Sequence, residues 1–313
     1  MTPVHKLTSE MKNFLFVLIC LGLISCQPAE EKSIEAQLVG EWLISSEYPE
    51  FATSVNEEQD LLVFNRTIPD RSKMWIMYTQ RKGDMWIGPD TMPFSSGQYR
   101  DVDPFLAHDG KRLYFSSNRP ISADSTAAGE FNTWYVERVG DAWSEPINPG
   151  YPLNSDSTEI FISMTQSGNA YFVSERGPGR IIMVSKYENG AYQKAKDIEL
   201  KLRGELIYAS NPCIASDESF LIVASRDPQG NGTPDLFVSW HEKGQWSELI
   251  NLGEAVNSPY AEFAPGLSKD DQVLYFSSER PGLVPAQGAG VRPPGDIYRV
   301  DIQAVLKGLK AES

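Results

Sequence analysis

Five pairs of an acid or amide with an arginine recur along this 313-residue chain: Glu50 with Arg66, Asp103 with Arg119, Glu159 with Arg176, Asn211 with Arg226, and Glu262 with Arg280. Carboxylates and guanidiniums placed this way can do three kinds of chemistry. They can tie strand ends together, grip a peptide or glycan, or, where two carboxylates flank a sugar, cleave a glycosidic bond with one of them held protonated. An acid paired to arginine has its pKa lowered, which is wrong for a general acid. Recurrence in every unit also favours ties over catalysis, since a catalytic centre has little use for five copies.

The elements that must position these residues read as β-hairpins. In DPFLAHDGKRLYFSSNR (103–119), two runs of strand formers flank Asp109-Gly110, a dipeptide that accepts the positive φ of a tight turn. The second run closes at Arg119-Pro120, where pairing should stop. Related stretches occur at 159–176, 211–226 and 262–280, with a weaker one at 50–66. Their anchors Phe64, Phe115, Phe172, Val223 and Phe276 lie 51, 57, 51 and 53 residues apart, a period that signals a propeller or other repeat array. Each hairpin is followed by an aromatic-aliphatic run, such as DLFVSW (235–240) or DIYRV (296–300), and then by a Gly turn and a Trp or Tyr strand. Four strands per repeat and no recurring 3.6-residue period predict an all-β, five-bladed β-propeller of four-stranded antiparallel blades. The fifth repeat lacks its last strand. The segment around Trp42 (39–51) is predicted to supply it, completing the last blade from the N-terminal side and removing a free sheet edge.

The predicted organisation is a lipoprotein signal peptide over 1–25, an acidic tether over 26–37 and one propeller domain over 38–313. Lys12 precedes the apolar run 14–25, which is too short for a membrane span, and Met11 is an alternative start to Met1. Leu23-Ile24-Ser25-Cys26 resembles a bacterial lipobox, which implies cleavage before Cys26, lipidation of that cysteine and an outer-membrane location facing periplasm or cell surface. The membrane would be met only through that lipid. Beyond Cys20 and Cys26 there is only Cys213, so no disulfide and no cysteine metal site is expected. A net charge of −14 argues against nucleic acid as a partner. His108 and His241 have no partner at ligand spacing, and no nucleophile-elbow, phosphate-loop or dinucleotide fingerprint is present. No metal and no cofactor is therefore expected. Trp86, Trp143 and Trp246 recur at one repeat position and are expected between blades. Trp75, Trp134 and Trp240, on or at the end of the third strands, leave two readings, a partly exposed aromatic platform for a sugar or packing in the core, and core is the favoured one.

The hairpin with its Ser-Ser-x-Arg ending, followed by Gly-rich sequence and DLFVS or DIYRV, resembles the WD40-like repeat of TolB-type β-propellers over most of residues 50–300. That resemblance implies an envelope propeller that binds a protein or a glycan. The usual Ser-Pro-Asp-Gly turn is degraded here to AHDG, TQSG, SDES and SKDD, and the TolB N-terminal domain is not seen, so no TolB role is carried over. The leading expectation is a non-enzymatic module whose binding face carries Arg66, Arg119, Arg176, Arg226, Arg280, Asp103, Glu159 and Glu262. The alternative rests on position: Glu50, Asp103 and Glu159 resemble the three acids of five-bladed arabinanase-type glycosidases. That would make the protein a hydrolase or lyase of an extracellular polysaccharide.

Overall fold

The computed structural model describes residues 34–312 apart from 84, 123–128, 177–178, 230–232 and 285–292. The expected signal segment and Cys26 lie outside the described residues, as do parts of the long connections after Arg119, Arg226 and Arg280. Within them the chain forms five blades. The first is built from Glu50–Val55, Leu61–Thr67, Met74–Lys82 and Met85–Thr91. The second uses Asp101–Leu106, Arg112–Ser117, Asn132–Val139 and Ala142–Trp143. The third uses Glu159–Met164, Ala170–Ser174, Ile181–Ser185 and Lys196–Asp197. The fourth uses Ala209–Ile214, Phe220–Arg226, Pro234–Glu242 and Ile250–Asn251. The fifth uses Glu262–Leu267, Val273–Ser278 and Asp296–Asp301, with Gln37–Leu38 as its outer strand.

Each second strand is a short apolar run packed on both faces, which is why it shows no alternation in sequence. The anchors Phe64, Phe115, Phe172 and Phe276 are at most 1% exposed and fill the space between blades. Neighbouring inner strands pack on one another around the axis, the fifth on the first. That last contact is close: a Cβ added at Gly266 would lie 2.0 Å from the Thr53 carbonyl oxygen.

The N-terminal closure is present, but its residues differ from those expected. Gln37 and Leu38 pair with Arg299 and Tyr298, and the Val39 N–H donates to the Ile297 carbonyl at 2.9 Å. Trp42 comes after the strand, in a turn opened by Gly40, and is largely exposed. Trp86 and Trp143 lie in the outer strands of the first two blades, but in the third and fourth the outer strand falls after the expected segment. Ala191–Tyr192 forms a separate hairpin with Tyr187–Glu188, and Lys196–Asp197 edges the third blade instead. Trp246 does pack toward the neighbouring blade, edge-on to Tyr171 at 6.2 Å. Trp134 and Trp240 are buried in the core, the favoured of the two readings.

The one helix among the described residues, Ile302–Glu312, was not expected. Asp301 caps it by accepting the Ala304 N–H at 2.9 Å. Ile302, Val305, Leu306 and Leu309, at positions i, i+3, i+4 and i+7, seal the core between the fourth and fifth blades.

Every inner strand carries one extra residue relative to its partner. The register shifts fall between Phe51 and Ser54, Val102 and Phe105, Ile160 and Ser163, Ser210 and Cys213, and Phe263 and Gly266. Ala52, Asp103, Phe161, Asn211 and Ala264 sit in these bulges with φ between 48° and 56°, a left-handed conformation that costs energy for such residues. Hydrogen bonds from the preceding blade hold four of the five. The N–H groups of Ala52, Asp103, Phe161 and Ala264 donate to Ser277 Oγ, Asn65 Oδ1, Ser116 Oγ and Asn211 Oδ1.

Candidate functional site: the latches, the channel and the upper face

The Ser-Ser-x-Arg ending now has a physical account. In the second and fifth blades its first serine, Ser116 or Ser277, holds the bulge of the next blade. The second serine binds the acid that opens its own inner strand: Ser117 to Asp101 at 2.6 Å, Ser174 to Glu159 at 2.8 Å and Ser278 to Glu262 at 2.6 Å. The arginine binds the same acid. Arg119 reaches Asp101 at 2.7 Å, Arg176 reaches Glu159 at 3.0 Å and Arg280 reaches Glu262 at 3.2 Å. In the first blade Arg66 takes the serine's register position and reaches Glu50 at 2.7 Å.

A serine four residues upstream completes three of these acids. Ser46, Ser155 and Ser258 each donate N–H and Oγ–H to Glu50, Glu159 and Glu262. Each guanidinium also lies 5.1–5.6 Å from the ring of its own blade's anchor phenylalanine. The result is a buried latch in which every group has a partner. Glu50, Glu159 and Glu262 are 0% exposed. Burial pushes the Glu50 carboxyl up to about 7, against the opposing pull of Ser46 and Arg66.

Two expected pairs do not form as proposed. Asp101, not Asp103, meets Arg119. Counting back from the Asp109-Gly110 turn without the extra bulge residue puts Asp103 opposite Ser116, whereas Val102 occupies that register. Asn211 is the bulge residue of the fourth blade, and the register position opposite Ser225 belongs to Ala209. Arg226 ends the second strand exposed, one residue too early for the latch.

Asp103 instead faces the central channel. The channel is narrow, with room for about two water molecules. Burial raises the Asp103 carboxyl to about 7. Near the axis Ala52, Phe161 and Ala264 cluster with Phe51, Ile160 and Phe263 and make an apolar floor. Lys269 lies deeper, donating to the Leu106 carbonyl with its ammonium 4.2 Å from the Phe105 ring centre. Burial lowers Lys269 to about 8 and His108 to about 4. The reading by repeats missed this channel set, because Lys269 and His108 belong to turns with no recurring residue type.

The face at which the five inner strands begin, here the upper face, also gathers the ends of the second-to-third connections. The N–H of Glu50 donates to the Gly295 carbonyl at 2.7 Å, and that of Glu159 to the Phe131 carbonyl at 2.8 Å. A tyrosine precedes every inner strand on this side: Tyr48, Tyr99, Tyr151, Tyr208 and Tyr260. Four are exposed, Tyr151 and Tyr208 most of all at 69% and 68%. These exposed rings were not singled out from the sequence, although their position before each repeat was visible there. Among the described residues, no cluster of three or more potential metal ligands occurs.

No protein-family model matches the chain, and no curated protein matches it. Solved structures do. An α-L-arabinofuranosidase from Lactobacillus brevis is 14% identical, with 81% of this chain and 90% of that chain covered and a TM-score of 0.52. TolB from Acinetobacter baumannii is 11% identical over 82% of this chain, with a TM-score of 0.46; the match spans 55% of that chain. The α-L-arabinofuranosidase PaAbf62A from Podospora anserina, in complex with cellotriose, is 9% identical, with 86% and 93% covered and a TM-score of 0.48. The likeness is one of fold. The fold is a five-bladed β-propeller, and its structural neighbours include TolB as well as arabinofuranosidases.

Proposed function

We propose that this protein is a non-catalytic binding module of the bacterial cell envelope, held at the membrane by a lipid on Cys26. Its partner docks on the upper face. The observation that carries this reading is the state of the acids. Glycoside cleavage needs two accessible carboxylates flanking one sugar. Of the three candidates, Glu50 and Glu159 are fully buried and saturated by serine and arginine. Only Asp103 faces open space, in a channel too narrow for a sugar ring. The upper face offers what binding uses: exposed tyrosines around an apolar floor.

One observation favours the hydrolase alternative. Burial raises the Asp103 carboxyl to about 7, so near neutral pH about half of it carries the proton a general acid requires. Incubation of the full chain with arabinan, xylan and mixed-linkage glucan separates the two readings. No release of reducing sugar is expected. Release that Asp103→Asn or Glu159→Gln abolishes overturns the binding reading. Labelling with a palmitate analogue tests the anchor, with loss of label expected in Cys26→Ala.

A further inference from the structure

Blade four keeps only the serine of the latch, Ser225. Ala209 stands where the acid should be, Val223 replaces the anchor phenylalanine, and the residue two past Ser225 is Asp227 instead of arginine. The connection entering the blade does not carry the upstream serine. It forms an added hairpin, Lys201–Leu202 paired with Glu205–Leu206. The ion pair there is reversed in sense. Arg203 at the hairpin tip makes two 2.7 Å bonds to Asp227 at the end of the second strand.

A groove of about 260 Å³ opens where the latch is missing. Its walls are the start of blade three's third strand, the segment after that blade's outer strand, and the added hairpin. Ile181, Ile198 and Ile207 line it, and Leu206 and Tyr208 stand at its edge, 63% and 68% exposed. This volume is just under the roughly 300–1,000 Å³ of small-molecule sites and suits one or two inserted side chains. An aliphatic wall with a single ring suits an apolar side chain better than a hydroxyl-covered sugar.

The charged groups on its rim are Arg180, Asp197 and Glu199. Arg180 is engaged by Glu175 at 2.8 Å, while Asp197 and Glu199 are exposed and in no ion pair among the described residues. The rim therefore presents uncompensated negative charge around an apolar slot. That pattern is complementary to an apolar residue with lysine or arginine beside it.

We infer that this groove is a docking site for a polypeptide, which inserts one apolar side chain and sets basic neighbours against Asp197 and Glu199. The inference rests on the binding reading above and names its partner class. Loss of the latch in this one blade then has a reason: local rules are broken where a site is built.

The test is panning of a phage-displayed random dodecapeptide library against the full chain. Enriched peptides should share an apolar residue flanked by lysine or arginine. Their affinity should fall at least tenfold in Leu206→Asp and in Tyr208→Ala, both exposed positions where folding is not at stake. Val139→Ala, 65% exposed at the end of blade two's third strand and outside the upper face, should leave affinity unchanged. No enrichment, or binding indifferent to Leu206→Asp, overturns the site. Binding of a neutral glycan that Leu206→Asp abolishes overturns the polypeptide assignment. Glycan turnover would instead sink the binding reading itself, so the two failures are distinct.

Discussion

Blade three and blade four stand side by side and end their second strands differently. Blade three closes on Glu159, with Ser155, Ser174 and Arg176 around it and Phe172 beneath the guanidinium. Blade four closes on nothing comparable and holds an exposed Arg203–Asp227 pair instead. Both blades keep four strands, the same bulge and the same packing onto their neighbours. The latch is therefore not a requirement of the blade. It is a means of finishing a strand end in a dry place, and where it is dropped the chain has room to build a groove.

The sharpest way to break the comparison is to remove one member of a latch. Arg176→Ala leaves Glu159 buried without its counter-charge, and should cost about 3 kcal/mol in urea unfolding. Installing the acid where it is missing should also be costly. Ala209→Glu puts a carboxylate beside Ser225 and Asp227 with no cation at the latch position. It should destabilise by about 2 kcal/mol, and adding Asp227→Arg should recover at least half of that in a double-mutant cycle. Recovery would show that the latch is portable; none would show that blade four is committed to its hairpin.

Two smaller effects are read through pH. The Asp103 carboxyl sits near 7 in the folded state, above the ~3.9 of an unfolded aspartate. Between those values the folded chain holds a proton that the unfolded chain has lost, so stability falls as pH rises from about 4 to 7 and levels off above. Asp103→Asn should remove that slope, raising the melting temperature at pH 8 by about 3 °C and leaving it unchanged near pH 3.5. Asp227 behaves in the opposite sense. Arg203 holds it down to about 2, so the tie is complete above the unfolded value and is lost as pH drops through 2. Amide exchange over 201–206 should quicken in Arg203→Ala, while the latched blades are unchanged. The smallest effect is expected at the helix cap, where Asp301→Ala should cost about 1 kcal/mol.

Much of this was legible from the chain alone. The hairpins and their number follow from the spacing of Phe64, Phe115, Phe172, Val223 and Phe276; closure follows from the missing outer strand of the fifth repeat, though Gln37–Leu38 supplies it and not the segment around Trp42. The pairing of Glu159 with Arg176 followed from where their strands start and end. The sequence favours Asp103 over Asp101 because a bulge adds a residue without changing the pattern on either side. The wrong acid then stood at the right count from the turn. By analogy with the other tryptophans Trp42 reads as a strand residue, whereas Gly40 ends the strand before it. The helix was overlooked because a single amphipathic period after a strand is a weak signal in a chain of strands. Blade four did announce itself. Arg226 falls three residues after its anchor, where Arg119, Arg176 and Arg280 fall four after theirs.

The closing strand has a consequence for how the protein is made. Ser45 Oγ accepts the Ile297 N–H across 252 residues of chain. Synthesis proceeds from the N-terminal end, so Gln37–Leu38 emerges long before its partner strand, with the other blades made in between. During that interval an unpaired edge is carried along at the head of a growing array. A chaperone that shields it until release would be sparing the ring from joining its own unfinished neighbours.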